Sequence, residues 1–173
     1  MGEPSLELTP QTAALAGAAD ALEQAGLEHW FFGGWAVDLW VGRLTRPHDD
    51  IDVLVRRADE AALAAALEAA GWVHTPRDDD LLGTEYAGDG YALQLTFVET
   101  DDDGRVVVPV PGRPVVVSTG PLDHARRPLG HLHVRVLTLA KMLEGKGVAR
   151  PDEADGAKDR ADLAALRTVV ATM

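Results

Sequence analysis

The chain contains no cysteine. That excludes a disulfide framework, a thiolate nucleophile and a thiolate-based zinc site. Basic residues are scarce: 16 Lys and Arg stand against 28 Asp and Glu, a net charge of −12. Nonspecific binding to duplex nucleic acid needs a basic surface, so no nucleic-acid partner is expected. The acidic balance suits a cationic small ligand, although net charge speaks first to solubility. Long apolar runs are also missing, and the opening MGEPSLELTP is acidic. With neither a leader-like segment nor a bilayer-length span in view, the expectation is a cytoplasmic protein with no membrane partner. Glu144-Gly145-Lys146-Gly147 lacks the upstream glycine and following hydroxyl of a P-loop, and Asp101 to Gly104 lacks the spaced oxygen ligands of a calcium loop. No internal repeat occurs. The 173 residues, 46% hydrophobic and 25% charged, are ordinary for one domain with an appendage and a real core.

The most informative stretch is Phe31 to Val55, FFGGWAVDLWVGRLTRPHDDIDVLV. Asp50 and Asp52 flank Ile51, and in a strand residues two apart share a face. The two carboxylates would then stand together while Ile51, Val53 and Val55 face a core. Like charges so placed repel unless a cation or proton neutralises them. Magnesium, a hard ion with oxygen ligands, suits such a pair and leaves room for substrate phosphates. A D-x-D by itself also occurs on solvated strand edges. Upstream, Phe31 and Phe32 read as the end of a short strand, Gly33-Gly34 as a turn, and Trp35 to Val41 as a helix. Glycine admits close backbone approach, and a turn feeding a helix N-terminus aims free N–H groups at an anion. A bare Gly-Gly also serves as a ligand-free turn; the combination of strand, glycine pair, helix, loop and D-x-D is far more specific than either part.

The segment GGWAVDLWVGRLTRPHDDID resembles the signature of small antibiotic nucleotidyltransferases, the aminoglycoside 2″-adenylyltransferase and lincosamide nucleotidyltransferase group of the DNA polymerase beta-like superfamily. The likeness is dense over Phe32 to Val53 and looser to Leu166. It implies an α/β (α+β) nucleotidyltransferase-like fold: a mixed sheet flanked by helices over residues 1–130, with a small helical C-terminal part over 131–173. It also implies transfer of AMP from ATP, or of another nucleoside monophosphate from its triphosphate, to a hydroxyl of a small acceptor such as an aminoglycoside or lincosamide. Carried over residue by residue, Gly33 and Gly34 hold the triphosphate, Asp50 and Asp52 bind Mg2+, and Arg46 and His48 enter the site from their loop.

The remaining elements follow from pattern. Leu8 to Ala25 reads as a helix capped by Thr9 or Thr12 and stopped by Gly26. His29 before the glycine turn is assigned to packing, as are Trp35 and Trp40; Asp38 either faces the nucleotide or serves as a solvated or capping residue. Arg43 and Arg46 lie near the cleft, with Arg46 the stronger phosphate candidate. Arg57 to Ala70 reads as a helix, Trp72 to His74 as a short strand, and Pro76 to Asp80 as a charged turn. Leu81 to Tyr86 and Tyr91 to Glu99 form a hairpin around AGDG. Val106 to Val110 and Arg113 to Ser118 read as further strands. From Leu132 the pattern turns helical, with Val136, Leu139, Ala140 and Leu143 on one face and Lys141 directed at the cleft. Gly145 to Gly156 reads as a loop and Ala157 to Val170 as a closing helix, whose Lys158, Asp159 and Asp162 match the family's final helix. His131-x-His133 is read as structural for want of a third ligand.

The superfamily carries a third carboxylate on a neighbouring strand. In Ala92 to Val98 the core takes Leu93, Leu95 and Phe97, so Gln94 and Thr96 face the cleft, and Gln94 stands where relatives carry aspartate. An amide takes no proton and is a weaker magnesium ligand. Glu85 on the preceding strand is the preferred catalytic carboxylate over Glu99, whose parity is wrong unless a bulge intervenes. The alternative is a noncatalytic nucleotide- or drug-binding protein with a degenerate site.

Overall fold

A computed structural model describes residues 2–78, 81–148 and 150–173. The chain enters extended: Leu6 bridges Leu129, and its carbonyl accepts the Gly130 N–H at 2.9 Å. Helix α1 then spans Ala13–Gln24. It starts five residues later than its apolar pattern suggests. Thr12 Oγ1 donates to the Glu7 carbonyl at 3.0 Å and accepts the Thr9 N–H at 2.8 Å, closing a side-chain turn across Pro10 that competes with the helix. Gly26 ends the element at φ +67°. Strand β1, His29–Phe32, leads directly into α2, Gly33–Val41. Strand β2, Asp50–Arg56, follows, then a 3₁₀ turn and α3, Glu60–Ala69. Strands β3, Val73–His74, β4, Gly83–Gly88, and β5, Tyr91–Thr100, come next. The β4–β5 turn is Asp89-Gly90, with φ of +50° and +83°, the primed geometry that Asp-Gly favours. Residues 79 and 80 of the expected charged turn lie outside the described residues.

Strands β6, Val106–Val108, and β7, Val115–Ser118, extend from β5 as a small ladder. Strands β8, His124–Leu129, and β9, Leu132–Leu137, form a hairpin about Gly130. The helical reading from Leu132 is thereby corrected: Val134 and Val136 alternate into the core while His133 and Arg135 point away, and helix α4 begins only at Leu139. The 3.6-residue pattern through Val136, Leu139 and Leu143 runs across a strand–helix junction at Thr138, whose hydroxyl caps α4 by accepting the Lys141 N–H. Helix α4 is Leu139–Lys146, and α5 is Glu153–Ala171. Helix α5 starts four residues before the expected Ala157 because Asp152 caps it, accepting the Asp155 N–H at 2.9 Å. Residue 149, in the expected loop, lies outside the described residues.

Among the described residues the nine strands make one mixed sheet, ordered β3-β4-β5-β2-β1-β9-β8, with β6 and β7 attached at β5. Strand β2 runs antiparallel to β1 and parallel to β5. Strand β9 adds parallel to β1, so it belongs to the main sheet and only α4 and α5 follow it. Ile51, Val53 and Val55 are fully buried, as are Leu93 and, nearly so, Leu95 and Phe97. This alternation commits the opposite face of β2 and β5 to the residues of the cleft. Helix α2 packs on α5 and α4, which brings the C-terminal helices over that end of the sheet.

Candidate active site

The junction of β1 and α2 is sharp because Gly33 sits at φ +72°, and a Cβ there would lie 2.5 Å from Asp52 Oδ2. Gly34 is equally constrained from the other side: a Cβ would lie 2.6 Å from His48 Cε1 and 2.8 Å from an Arg46 guanidinium nitrogen. The glycine pair thus lets a metal-type carboxylate and the 42–49 loop close on the N-terminus of α2, where the N-cap residue, Phe32, offers no side-chain hydrogen bond to the first N–H groups. A cavity of about 580 Å³ opens at this point.

Asp38, fully buried inside α2, organises the loop. Its Oδ2 meets His48 Nε2 at 2.6 Å, and its Oδ1 accepts from the Thr45 N–H at 3.1 Å and the Thr45 hydroxyl at 2.5 Å. Of the two roles open to it in the sequence, it takes neither: it anchors the loop that carries Arg46 and His48 to the cavity. The His48 ring also lies 4.7 Å from that of Trp35.

Asp50 is exposed and Asp52 half-buried, and both line the cavity. Burial, then the charge of Asp50, push the Asp52 carboxyl up to about 6; Lys146, Arg150 and His48 pull against the shift. Two carboxylates in this state suit a hard divalent cation, which would neutralise both. Among the described residues no group of three or more His, Cys, Asp or Glu side chains converges as a metal cage. The position beside Asp52 is Gln94, its register partner on β5. Beyond Gln94 in the same cross-strand row stands Glu85, which accepts the Gln94 Nε2–H at 3.1 Å and the Thr75 hydroxyl at 3.4 Å. Gln94 lines the cavity; Glu85 is not among the lining residues. Glu99 is engaged elsewhere, 3.3 Å from Arg57.

The far wall comes from α4, α5 and the connection between them, and carries four cations beside Asp155 and Asp159. Lys141, Lys146, Arg150 and Lys158 all line the cavity. Lys146 lies 3.0 Å from Asp159 and 2.9 Å from Asp162, Arg150 lies 2.7 Å from Asp159, and Arg46 reaches Asp162 at 3.1 Å. Buried carboxylates demand partners. Burial raises the Asp162 carboxyl, but hydrogen bonds from Arg46 and Lys146 outweigh it and hold the group below the usual range. The cluster ties the 42–49 loop to α4 and α5 and concentrates positive charge across the cavity from Asp50 and Asp52, an arrangement that accommodates a polyphosphate with its metal.

Of the residues picked out in the sequence, Gly33, Gly34, Arg46, His48, Asp50, Asp52, Gln94, Lys141, Lys158 and Asp159 meet at the cavity; Arg43 does not. His29 is a packing residue whose Nδ1 lies 2.7 Å from the Leu27 carbonyl oxygen. Trp40 donates to the Leu137 carbonyl at 3.1 Å. Lys146, set aside because its glycines do not form a P-loop, and Arg150 were missed. Their one local signal is a pair of cations, one ending α4 and one in the connection to α5, in an acidic chain.

A nucleotidyltransferase-like protein is what the fold defines. The whole chain is similar to a lincosamide antibiotic adenylyltransferase solved with lincomycin, at TM-score 0.69 and 17% identity, covering 95% of this chain and 99% of that one. It is also similar to an ANT(2″)-Ia enzyme solved with adenylyl-2″-tobramycin, at TM-score 0.57 and 21% identity, covering 95% and 97%. The family model for aminoglycoside-2″-adenylyltransferase matches residues 14–164, and the chain belongs to that family of antibiotic-modifying adenylyltransferases. A 51-residue stretch is 41% identical to a 2″-aminoglycoside nucleotidyltransferase of Escherichia coli, covering 30% of this chain and 29% of that relative's length. Among the described residues no helix is long and apolar enough to cross a membrane.

Proposed function

We propose that this protein transfers AMP from ATP to a hydroxyl of a small cationic antibiotic, an aminoglycoside or a lincosamide, in a magnesium-dependent reaction. The observation that carries the reading is the convergence of Asp50 and Asp52, the uncapped N-terminus of α2 and the Lys141–Lys146–Arg150–Lys158 wall on one cavity. The relatives solved with lincomycin and with adenylyl-2″-tobramycin supply the acceptor class.

The triphosphate lies between the glycine turn and the cationic wall. Gly33 and Gly34 allow its approach to the helix N-terminus, and Arg46, Lys146 and Arg150 meet its oxygens. Asp50 and Asp52 would hold magnesium, which would supply neutralisation of charge on the phosphates and the leaving pyrophosphate. The acceptor oxygen bonds to the α-phosphorus as the bond from that phosphorus to the oxygen bridging to the β-phosphate breaks, and pyrophosphate departs. In a loose transition state positioning and charge outweigh base strength; the hydroxyl proton passes to water in the cavity, since Gln94 takes none.

The test is to incubate the protein with ATP, magnesium and a panel of aminoglycosides and lincosamides, following pyrophosphate release and the acceptor's mass. Appearance of an adenylylated drug is expected. A second reading, ligand binding without transfer, is favoured by the neutral amide of Gln94 in the carboxylate row; drug or nucleotide binding with no pyrophosphate across the panel would establish it instead.

A further inference from the structure

The cross-strand row Asp52–Gln94–Glu85 is polarised. Glu85, on β4, accepts the Gln94 Nε2–H at 3.1 Å, and its second oxygen accepts from Thr75. A carboxylate accepts only, so it fixes which end of the neighbouring amide faces it. With Nε2 turned to β4, the planar amide carries its carbonyl oxygen on the opposite edge, towards β2 and the cavity that Gln94 lines. There it stands beside Asp52, its register partner, where among the described residues no third His, Cys, Asp or Glu side chain converges with Asp50 and Asp52. Amide carbonyls are ordinary ligands of hard divalent cations.

We infer that Gln94, oriented by Glu85, serves as a neutral third oxygen donor to the divalent cation held by Asp50 and Asp52, and that Glu85 is a positioning residue acting through it. The inference rests on the magnesium-dependent reading above. It gives this site a protein charge of two carboxylates rather than three, and makes Glu85 a third negative group that acts on the cation only by aligning a dipole.

The experiment is calorimetric titration of magnesium into the full-length protein saturated with a nonhydrolysable ATP analogue. Glu85→Gln keeps side-chain volume and a hydrogen bond to residue 94, but lets the Gln94 amide sit either way round. The melting temperature is expected to stay put while magnesium affinity falls about 10-fold, the loss typical of a displaced outer partner. Gln94→Leu removes the donor and is expected to cost at least as much. In the Gln94→Leu background, Glu85→Gln is expected to add nothing. A Glu85→Gln variant that binds magnesium as tightly as the wild type overturns the inference, and so does an undiminished Glu85→Gln loss in the Gln94→Leu background, which would make Glu85 a through-space charge. The reading beneath it fails differently: the wild type itself would then show no magnesium-dependent nucleotide binding.

Discussion

Replacing Asp52 with Asn should stabilise the metal-free protein, and the gain should fade with acid. The folded carboxyl titrates at about 6 against an ordinary 3.8, raised by burial and by Asp50. A gap of about 2 units, at 1.36 kcal/mol each, is roughly 3 kcal/mol. The proton-bound form is the one the fold favours. The fold's advantage is therefore complete below about pH 4 and is lost as pH rises through about 6, above which the ionised group carries the full cost. At pH 8 Asp52→Asn recovers up to about 3 kcal/mol, which for a chain of this size is a rise of about 6–12 °C in melting temperature. At pH 5 about half of it remains. The assay is thermal unfolding of both proteins in chelator at pH 8 and pH 5. Magnesium with an ATP analogue should then raise the melting temperature of the wild type and leave the variant unmoved. A variant that melts at or below the wild type at pH 8 would show that Lys146 and Arg150 already satisfy Asp52, and the argument for a cation at the pair would lose its electrostatic basis.

Three further outcomes follow from the same geometry. Asp50→Asn should abolish the magnesium dependence of nucleotide affinity in calorimetry with and without chelator; an unchanged dependence removes Asp50 from the metal site. Gly34→Ala should lower nucleotide affinity about 10-fold at a cost of about 1–3 kcal/mol in stability, because the new methyl would lie 2.6 Å from His48 Cε1 and 2.8 Å from Arg46; denaturant unfolding beside nucleotide titration separates the two effects. Asp38→Ala should cost about 3–5 kcal/mol in urea unfolding, since it strands His48 and Thr45 around a buried vacancy, and a loss below about 1 kcal/mol would contradict the anchoring role.

Much of the site was legible locally. Parity on β2 put Asp50 and Asp52 on one face, and the glycine pair between strand and helix announced the turn; Asp89-Gly90 announced its hairpin. Misreadings arose where local pattern met a competing interaction. Thr12 and Pro10 delayed α1, and an apolar period spanning Thr138 joined the end of β9 to α4. Lys146 was passed over because its immediate neighbours are wrong for a phosphate loop, while its actual partners, Asp159 and Asp162, lie 13 and 16 residues downstream on α5.

By itself, then, the sequence determined which side chains share a face and where the backbone must turn, because alternation along a strand and the conformations open to glycine act over two or three residues. Only the tertiary structure decided what stands opposite them. Gln94 beside Asp52, Glu85 beyond Gln94, and the Lys146–Arg150 wall across the cavity depend on strand register and on the docking of α5 against α2. Those are set by burial of the whole core and by the pairing of buried charges, energies to which residues a hundred positions apart contribute together.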